Sequence, residues 1–300
     1  MKSSNYKIGI DLGGTKIEII LIDAIGCEIF RKRIKTPVSN YELTIKSITN
    51  LVTQAEEYIN DQASIGIGIP GKLSTKTNFI EYSNSTYLIN KPLIYDLEKS
   101  LSRKIKVQND ANCFALSEFK DGAGKDTKSL FAVILGSGVG GGIIINGELH
   151  EGSNSNAGEW GHNRLPWSTD NEINSRICYC GKKGCIETFL SGKGLRDSFY
   201  ELTQKAFSSE QIVDLSFKQD PVAISILELY EERLAKSLSL IINTLDPEMI
   251  VIGGGMSNID RIYQNVPNLI GKYVLSDSIN TKIVKAFHGD SSGVRGAAWL

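Results

Sequence analysis

No stretch of this 300-residue chain is long and apolar enough to span a bilayer. The first residues, Met1-Lys2-Ser3-Ser4-Asn5-Tyr6-Lys7, contain no apolar core of a secretion signal. An excess of charge is also missing: 33 Lys+Arg stand against 34 Asp+Glu, a formal net charge of −1. That balance offers no electrostatic pull toward nucleic acid or anionic lipid. No low-complexity run and no Ser/Pro linker divides the chain. These absences point to a cytoplasmic globular protein that binds neither nucleic acid nor membrane. Histidine is scarce at three, and the five cysteines are an odd number, which argues against a disulfide framework. Three of those five crowd between 178 and 185 and call for a separate explanation.

What is present is an alternation of strands, turns and helices. Ile8–Leu12, Ile17–Ile22 and Glu28–Ile34 read as strands, and Ile45, Ile48, Val52, Ala55 and Ile59 recur at helical spacing. Ile65–Ile69 and Ile105–Val107 are further short strands. The pattern then restarts. Leu130–Leu135 runs into glycines and resumes at Ile143–Ile145. A long helix is marked by Leu227, Tyr230, Leu234, Leu238, Ile241 and Leu245, stopping at Asp246-Pro247. Met249–Ile252 is a last buried strand. The sequence therefore predicts two α/β lobes of like construction with glycine turns facing a shared cleft.

Three glycine-rich strand ends carry the first chemistry. Asp11-Leu12-Gly13-Gly14-Thr15-Lys16 lets backbone N–H groups approach phosphate oxygens, with the Thr15 hydroxyl and the Lys16 charge beside them. Asp11 is placed to hold the water shell of Mg²⁺. Alone, the segment reads equally as a hairpin turn. It is neither a Walker A loop nor a dinucleotide fingerprint. Gly136-Ser137-Gly138-Val139-Gly140 repeats the logic, and Gly253-Gly254-Gly255 can pass close to an adenine and ribose. Order and spacing of the three resemble the ATPase fold shared by sugar kinases, heat-shock proteins and actin.

Two further groups suit acid–base or polyol chemistry. Asn109-Asp110 ends a strand, and a carboxylate there can accept a hydroxyl proton in phosphoryl transfer. Equally, Asp110 reads as the N-cap of a helix over 111–119. In Glu159-Trp160-Gly161-His162 a carboxylate and an imidazole share a face if the segment is a tight turn; otherwise it is a solvated loop. Cys178, Cys180 and Cys185, with glycines between them, need one more donor for a tetrahedral Cys₃His zinc site, and His162 is the candidate among His150, His162 and His288. A redox cluster or three unpaired thiols is the other reading.

Together Asp11–Lys16, Asn109-Asp110-Ala111-Asn112, Leu135–Gly142, Glu159-x-Gly161-His162, Cys178-x-Cys180-Gly181-x-x-Gly184-Cys185-x-Glu187 and Ile252–Gly255 resemble the ROK family of sugar kinases and repressors. The resemblance implies a two-lobed actin-like ATPase fold of the ribonuclease H-like class, with an interlobe active-site cleft. It divides the chain into a lobe over 1–112, a zinc-bearing lobe over 113–288 and a C-terminal helix over 289–300 that returns to the first lobe. It implies Asp110 as catalytic base and Asn109, Asp110, Glu159, His162 and Glu187 around the sugar. ATP is held by Asp11, Gly13, Gly14, Thr15, Lys16, Gly136, Ser137, Gly138, Gly140, Gly253, Gly254 and Gly255. Structural Zn²⁺ is bound by His162, Cys178, Cys180 and Cys185. Ser137 stands where many members carry Thr. Within the family, segments 82–86, 159–167 and 288–299 look most like bacterial fructokinases, which adds Asn84 as a sugar contact. The expected reaction is transfer of the ATP γ-phosphoryl group to the C6 hydroxyl of a hexose, with fructose ahead of mannose, glucose or an N-acetylhexosamine. A homodimer is expected. A repressor is disfavoured, because few residues precede the first glycine turn.

Overall fold

The computed structural model describes residues 5–37, 39–74, 76–81, 83 and 85–300. The chain divides into two compact units. The first comprises the residues up to Lys125 with Leu149–Asn156 and Asp290–Leu300, and the second comprises Asp126–Glu148 and Ala157–Gly289.

In the first unit, strands β1 (Tyr6–Leu12), β2 (Lys16–Asp23) and β3 (Glu28–Lys35) precede helix α1 (Tyr41–Glu57). Strand β4 (Ser64–Ile69), the short pair β5 (Lys72–Leu73) and β6 (Ile80–Glu81), helix α2 (Leu93–Leu101), β7 (Lys106–Asn109) and α3 (Asp110–Lys120) follow. The sheet order is β3-β2-β1-β4-β7, antiparallel through β1 and parallel from β1 to β7. Isoleucine dominates because both faces of the sheet are covered. Ile8, Ile10, Leu12, Ile17, Ile19 and Leu21 pack on one face with Ile48, Leu51, Val52 and Ala55 of α1. Ile20 and Ile22 take the other face, against Val294 and Ala298. Those two residues belong to the C-terminal helix, Ser292–Ala298.

The C-terminal helix lies so close to β4 of the sheet and to α3 that glycine is required at both contacts. A Cβ on Gly66 would fall 1.9 Å from the carbonyl oxygen of Ala297, and one on Gly296 would fall 1.6 Å from that of Cys113. Residues 113–120 therefore pack with the first unit as part of the unbroken α3. The division expected at 112/113 falls inside that helix and is corrected to lie after Lys125. Cutting a helix would separate residues joined by its own hydrogen bonds.

The second unit repeats the topology. Strands β8 (Leu130–Leu135), β9 (Val139–Ile145) and β10 (Glu148–Leu149) are followed by helices α4 (Asp170–Ser175), α5 (Glu187–Leu190), α6 (Gly192–Thr203), α7 (Ser209–Phe217) and α8 (Pro221–Leu245). Then come β11 (Met249–Gly253), α9 (Arg261–Ile270) and β12 (Lys282–Lys285). The order β10-β9-β8-β11-β12 matches the first sheet strand for strand, with one antiparallel hairpin and two parallel neighbours. Helix α8 has Asp220 as its cap and Pro221 in its first turn, where a missing N–H is harmless. Its Tyr230, Leu234 and Leu238 pack with Phe131, Val133 and Leu135 of β8. Among the described residues no helix is long and apolar enough to cross a membrane.

Candidate active site

In the first unit the turn between β1 and β2 is Gly13-Gly14-Thr15, closed by a bond of 2.9 Å from Gly13 N–H to the Lys16 carbonyl. Thr36 braces it by donating its hydroxyl to the Gly13 carbonyl at 2.7 Å. Gly14 and Thr15 are exposed and open to a ligand. Asp11 lies opposite Glu18 across the hairpin, and Glu18 opposite Arg33. Directly paired side chains share a face, so the three form one polar row. Glu18 is 1% exposed and takes bonds from Arg31 Nε at 2.6 Å and Arg33 Nη2 at 2.6 Å. Burial first, and then the negative charge of Asp110, raise the Asp11 carboxyl to about 6. A divalent cation beside Asp11 would remove that penalty, so the residue suits the Mg²⁺ of a nucleotide.

The cap of α3 separates two roles that the sequence leaves together. Asn109, not Asp110, is the N-cap: its side-chain oxygen accepts from Ala111 N–H at 2.8 Å and Asn112 N–H at 3.3 Å. Its amide also donates to the Gly71 carbonyl at 3.1 Å. Asp110 is the first helical residue and is exposed, with one carboxylate oxygen on the Ala111 N–H at 2.8 Å.

In the second unit the β8–β9 turn holds Gly136 and Gly138 around the exposed Ser137. Gly136 accepts at its carbonyl from Gly192 N–H at 2.8 Å, at the start of α6. Gly254 and Gly255 follow β11, and a Cβ on Gly254 would meet the Leu135 carbonyl oxygen at 2.4 Å. The two glycine turns and the start of α6 thus meet at one end of this sheet.

Glu159 precedes a single 3₁₀ turn, Trp160–His162, so that its carboxylate lies 3.9 Å from His162 Nε2. The solvated-loop alternative fails at the turn's middle. Trp160 is buried and donates its indole N–H to the Gly140 carbonyl at 2.9 Å, which fastens the segment to β9. Gly181 and Gly184 take φ of +85° and +68° and bend the thiol loop back on itself. His162 Nδ1 then stands 3.5 Å from Cys178 Sγ, and Cys180 Sγ stands 3.7 Å from Cys185 Sγ. All four donor atoms lie within 4.8 Å of one another. A tetrahedral zinc ion, with bonds of about 2.0 Å to nitrogen and 2.3 Å to sulfur, spaces its donors by about 3.5–3.8 Å. The donor set fits zinc in chemistry, and the His162–Cys178 and Cys180–Cys185 distances fall in that range.

Glu187, the first residue of α5, reaches both features. One carboxylate oxygen accepts from Val139 N–H at 3.0 Å, in the β8–β9 turn, and the other lies 3.6 Å from Cys178 Sγ. Tyr179, between two of the thiols, meets His162 Nε2 with its hydroxyl at 3.0 Å. Burial, followed by the charges of Glu187 and Glu159, pushes that hydroxyl up to about 12.

Within the first unit the structure gathers Asp11, Gly13, Gly14, Thr15 and Lys16, and its Asp11 feels the charge of Asp110 beside Asn109. Within the second it gathers Glu159, His162, Cys178, Cys180, Cys185 and Glu187, and separately Gly136, Ser137, Gly138, Gly140, Gly253, Gly254 and Gly255. Asn84 lies outside the described residues. The sequence reading missed Glu18 with Arg31 and Arg33, whose alternation along β2 and β3 was the available signal. It also missed Arg176 and Arg233. Both are buried, and their guanidinium carbons each lie 4.7 Å from the Phe189 ring centroid. Arg176 further donates to the carbonyl of Thr188, next to Glu187, at 2.7 Å. No short spacing links these residues in the sequence.

Comparison with known proteins identifies the family. The family model described as "ROK family" matches residues 7–300. An N-acetyl-D-glucosamine kinase of Haemophilus influenzae is 37% identical over 97% of this chain and 98% of its own length. A ROK hexokinase of Thermus thermophilus superposes with a TM-score of 0.88 at 25% identity, covering 98% of this chain and 96% of that one. A ROK family glucokinase of Streptomyces griseus, solved with glucose and AMPPNP, superposes with a TM-score of 0.79 at 26% identity, covering 98% of both chains. With its actin-like α/β fold and its glycine turns, this chain belongs to the ROK family and is an ATP-using sugar kinase.

Proposed function

We propose that the chain is an N-acetyl-D-glucosamine kinase, forming N-acetyl-D-glucosamine 6-phosphate and ADP. The observation that carries this reading is the likeness to the Haemophilus influenzae N-acetyl-D-glucosamine kinase over nearly the whole of both chains. It displaces fructose, which rested on short segments around Asn84, Trp160 and Trp167. An N-acetylhexosamine is one of the three alternatives to fructose, beside mannose and glucose, that the sequence leaves open.

In this reading Asp110 takes the proton of the C6 hydroxyl as its oxygen forms a bond to the γ-phosphorus. The bond from that phosphorus to the β–γ bridging oxygen breaks, and ADP leaves. Asn109 holds the start of α3, which aims Asp110. Glu159, His162 and Glu187 bind sugar hydroxyls, and a pocket that hydrogen-bonds hydroxyls discriminates strongly among sugars. The turns at Gly13-Gly14-Thr15 and Gly136-Ser137-Gly138 supply backbone N–H groups to the phosphates, with Lys16 beside the first. Mg²⁺ held near Asp11 offsets phosphate charge when bound. Zn²⁺ at His162, Cys178, Cys180 and Cys185 is structural. It ties the 159–162 turn to the loop leading into Glu187. A homodimer remains part of the proposal.

The test is kcat/KM for N-acetylglucosamine, N-acetylmannosamine, glucose, mannose and fructose, followed by ADP release. N-acetylglucosamine should exceed every other sugar by about tenfold or more, a transition-state preference of about 1.4 kcal/mol. A higher value for glucose or fructose would reject the assigned acceptor and leave the kinase chemistry standing.

A further inference from the structure

Glu187 opens α5, a helix of only four residues. A single turn is not stable by itself, because too few backbone hydrogen bonds offset the ordering of its residues. The direction of the Glu187 side chain is therefore set by what holds the rest of the turn. Each of the next residues is held. The Thr188 carbonyl accepts from Arg176 Nη1 at 2.7 Å. The Phe189 ring is buried, with the guanidinium carbons of Arg176 and Arg233 near it. The Leu190 carbonyl accepts from the buried Tyr230 hydroxyl at 2.8 Å.

Arg176 is 8% exposed, and its whole fork of N–H donors is used. Besides Thr188, Nη1 reaches the Gly194 carbonyl at 3.0 Å, and Nη2 reaches Ser198 Oγ at 2.9 Å and Glu201 Oε2 at 2.8 Å. Nε reaches Glu201 Oε1 at 3.1 Å. Gly194, Ser198 and Glu201 all belong to α6. A Cβ on Gly194 would fall 2.7 Å from the Thr188 carbonyl oxygen, so glycine there lets α6 approach until one Nη1 serves both carbonyls. The backbone of Arg176 closes the base of the thiol loop, its carbonyl accepting from Gly184 N–H at 3.0 Å.

Burying an arginine is a poor route to stability, since desolvation offsets the ion pair. What its planar fork supplies is direction, with donors at fixed angles. We propose that Arg176 is a positioning residue for the acceptor sugar: it joins the base of the thiol loop to α5 and α6 and so fixes the aim of the Glu187 carboxylate. A lysine at 176 keeps the charge but carries a single nitrogen, which cannot hold both ends of the fork. The inference rests on Glu187 as a sugar contact, given under Proposed function, and needs no metal.

The experiment measures by titration calorimetry the Kd of the full chain for N-acetylglucosamine, or for whichever sugar of the panel has the highest kcat/KM. Wild type, Arg176→Lys, Glu187→Gln and the double variant are compared. Arg176→Lys should weaken binding about tenfold, within the reach of a misplaced binding group. Glu187→Gln should weaken it at least as much. Because Arg176 acts through Glu187, adding Arg176→Lys to Glu187→Gln should weaken binding by no more than about a further twofold. The same change at Arg261, whose bonds go to the buried Glu231 of α8, is the control for disturbing a buried ion pair. It should leave the sugar Kd within about twofold of wild type. Unchanged affinity in Arg176→Lys, or fully additive effects in the double variant, would overturn the role of Arg176 and leave Glu187 as a sugar contact. Unchanged affinity in Glu187→Gln would overturn both. Should Arg176→Lys not fold, Glu201→Gln decides. Glu201 is exposed, so its variant loosens the same guanidinium from the solvent side. Weaker sugar binding there supports the proposal, and wild-type binding overturns it.

Discussion

The carbonyl oxygen of Cys113 occupies the space that a side chain on Gly296 would need. A Cβ there would stand 1.6 Å from it. Helix α3 and the C-terminal helix therefore touch backbone to backbone, and no side-chain rotation relieves the clash. Gly296→Ala should cost at least about 3 kcal/mol, since overpacking against fixed backbone lies at the severe end of such changes. Gly293→Ala in the same helix is the control. Its nearest neighbour is Asp11 Cγ at 3.8 Å, an ordinary contact, so helix propensity should make it neutral or slightly stabilising. Urea denaturation of both variants checks the contrast. Equal stabilities would remove the close crossing from the account of the fold.

Asp11 should make the stability of the ligand-free protein depend on pH in a direction opposite to most carboxylates. Its carboxyl is raised from 3.8 to about 6, chiefly by burial and then by Asp110. As pH rises through 3.8 the unfolded chain loses this proton first, and the folded chain keeps it until about 6. Over that window the folded state binds more protons, so stability falls as pH rises. The full penalty, on the order of 3 kcal/mol, is present above about pH 7. Asp11→Asn removes it. The variant should be more stable than wild type at pH 7.5, and the gain should shrink below pH 6. Denaturant midpoints at both values, without nucleotide or Mg²⁺, measure this. A gain that is the same at pH 4.5 and pH 7.5 would contradict the titration of Asp11.

Asn109 and Asp110 should separate cleanly by mutation. Asp110→Asn keeps size and leaves the cap untouched, so stability should change by no more than about 0.5 kcal/mol. Turnover should fall by about 10²–10⁴-fold as the base is removed. Asn109→Ala strips the cap from two backbone N–H groups and should cost about 1–2 kcal/mol. Thermal melts and initial rates on both variants suffice. Near wild-type turnover in Asp110→Asn would leave Asp110 as a helix residue without catalytic duty.

The sequence by itself determined the elements and the chemistry to look for. Apolar runs such as Ile17–Ile22 and Met249–Ile252 became buried strands, because only a strand covered on both faces tolerates them. The glycine turns, the thiol cluster and the Glu159–His162 pair were legible because each is a short motif whose spacing carries its geometry. Tertiary structure alone decided which of two adjacent residues caps α3, since both are good caps and only their backbone conformations differ. It also decided that α3 belongs whole to the first unit, and that Tyr179 turns toward His162. It alone brought Arg176 and Arg233 to the ring of Phe189. These relations join residues far apart in the chain or choose between equal local options. Local spacing holds no record of either, because they are fixed by which surfaces the packed core brings into contact.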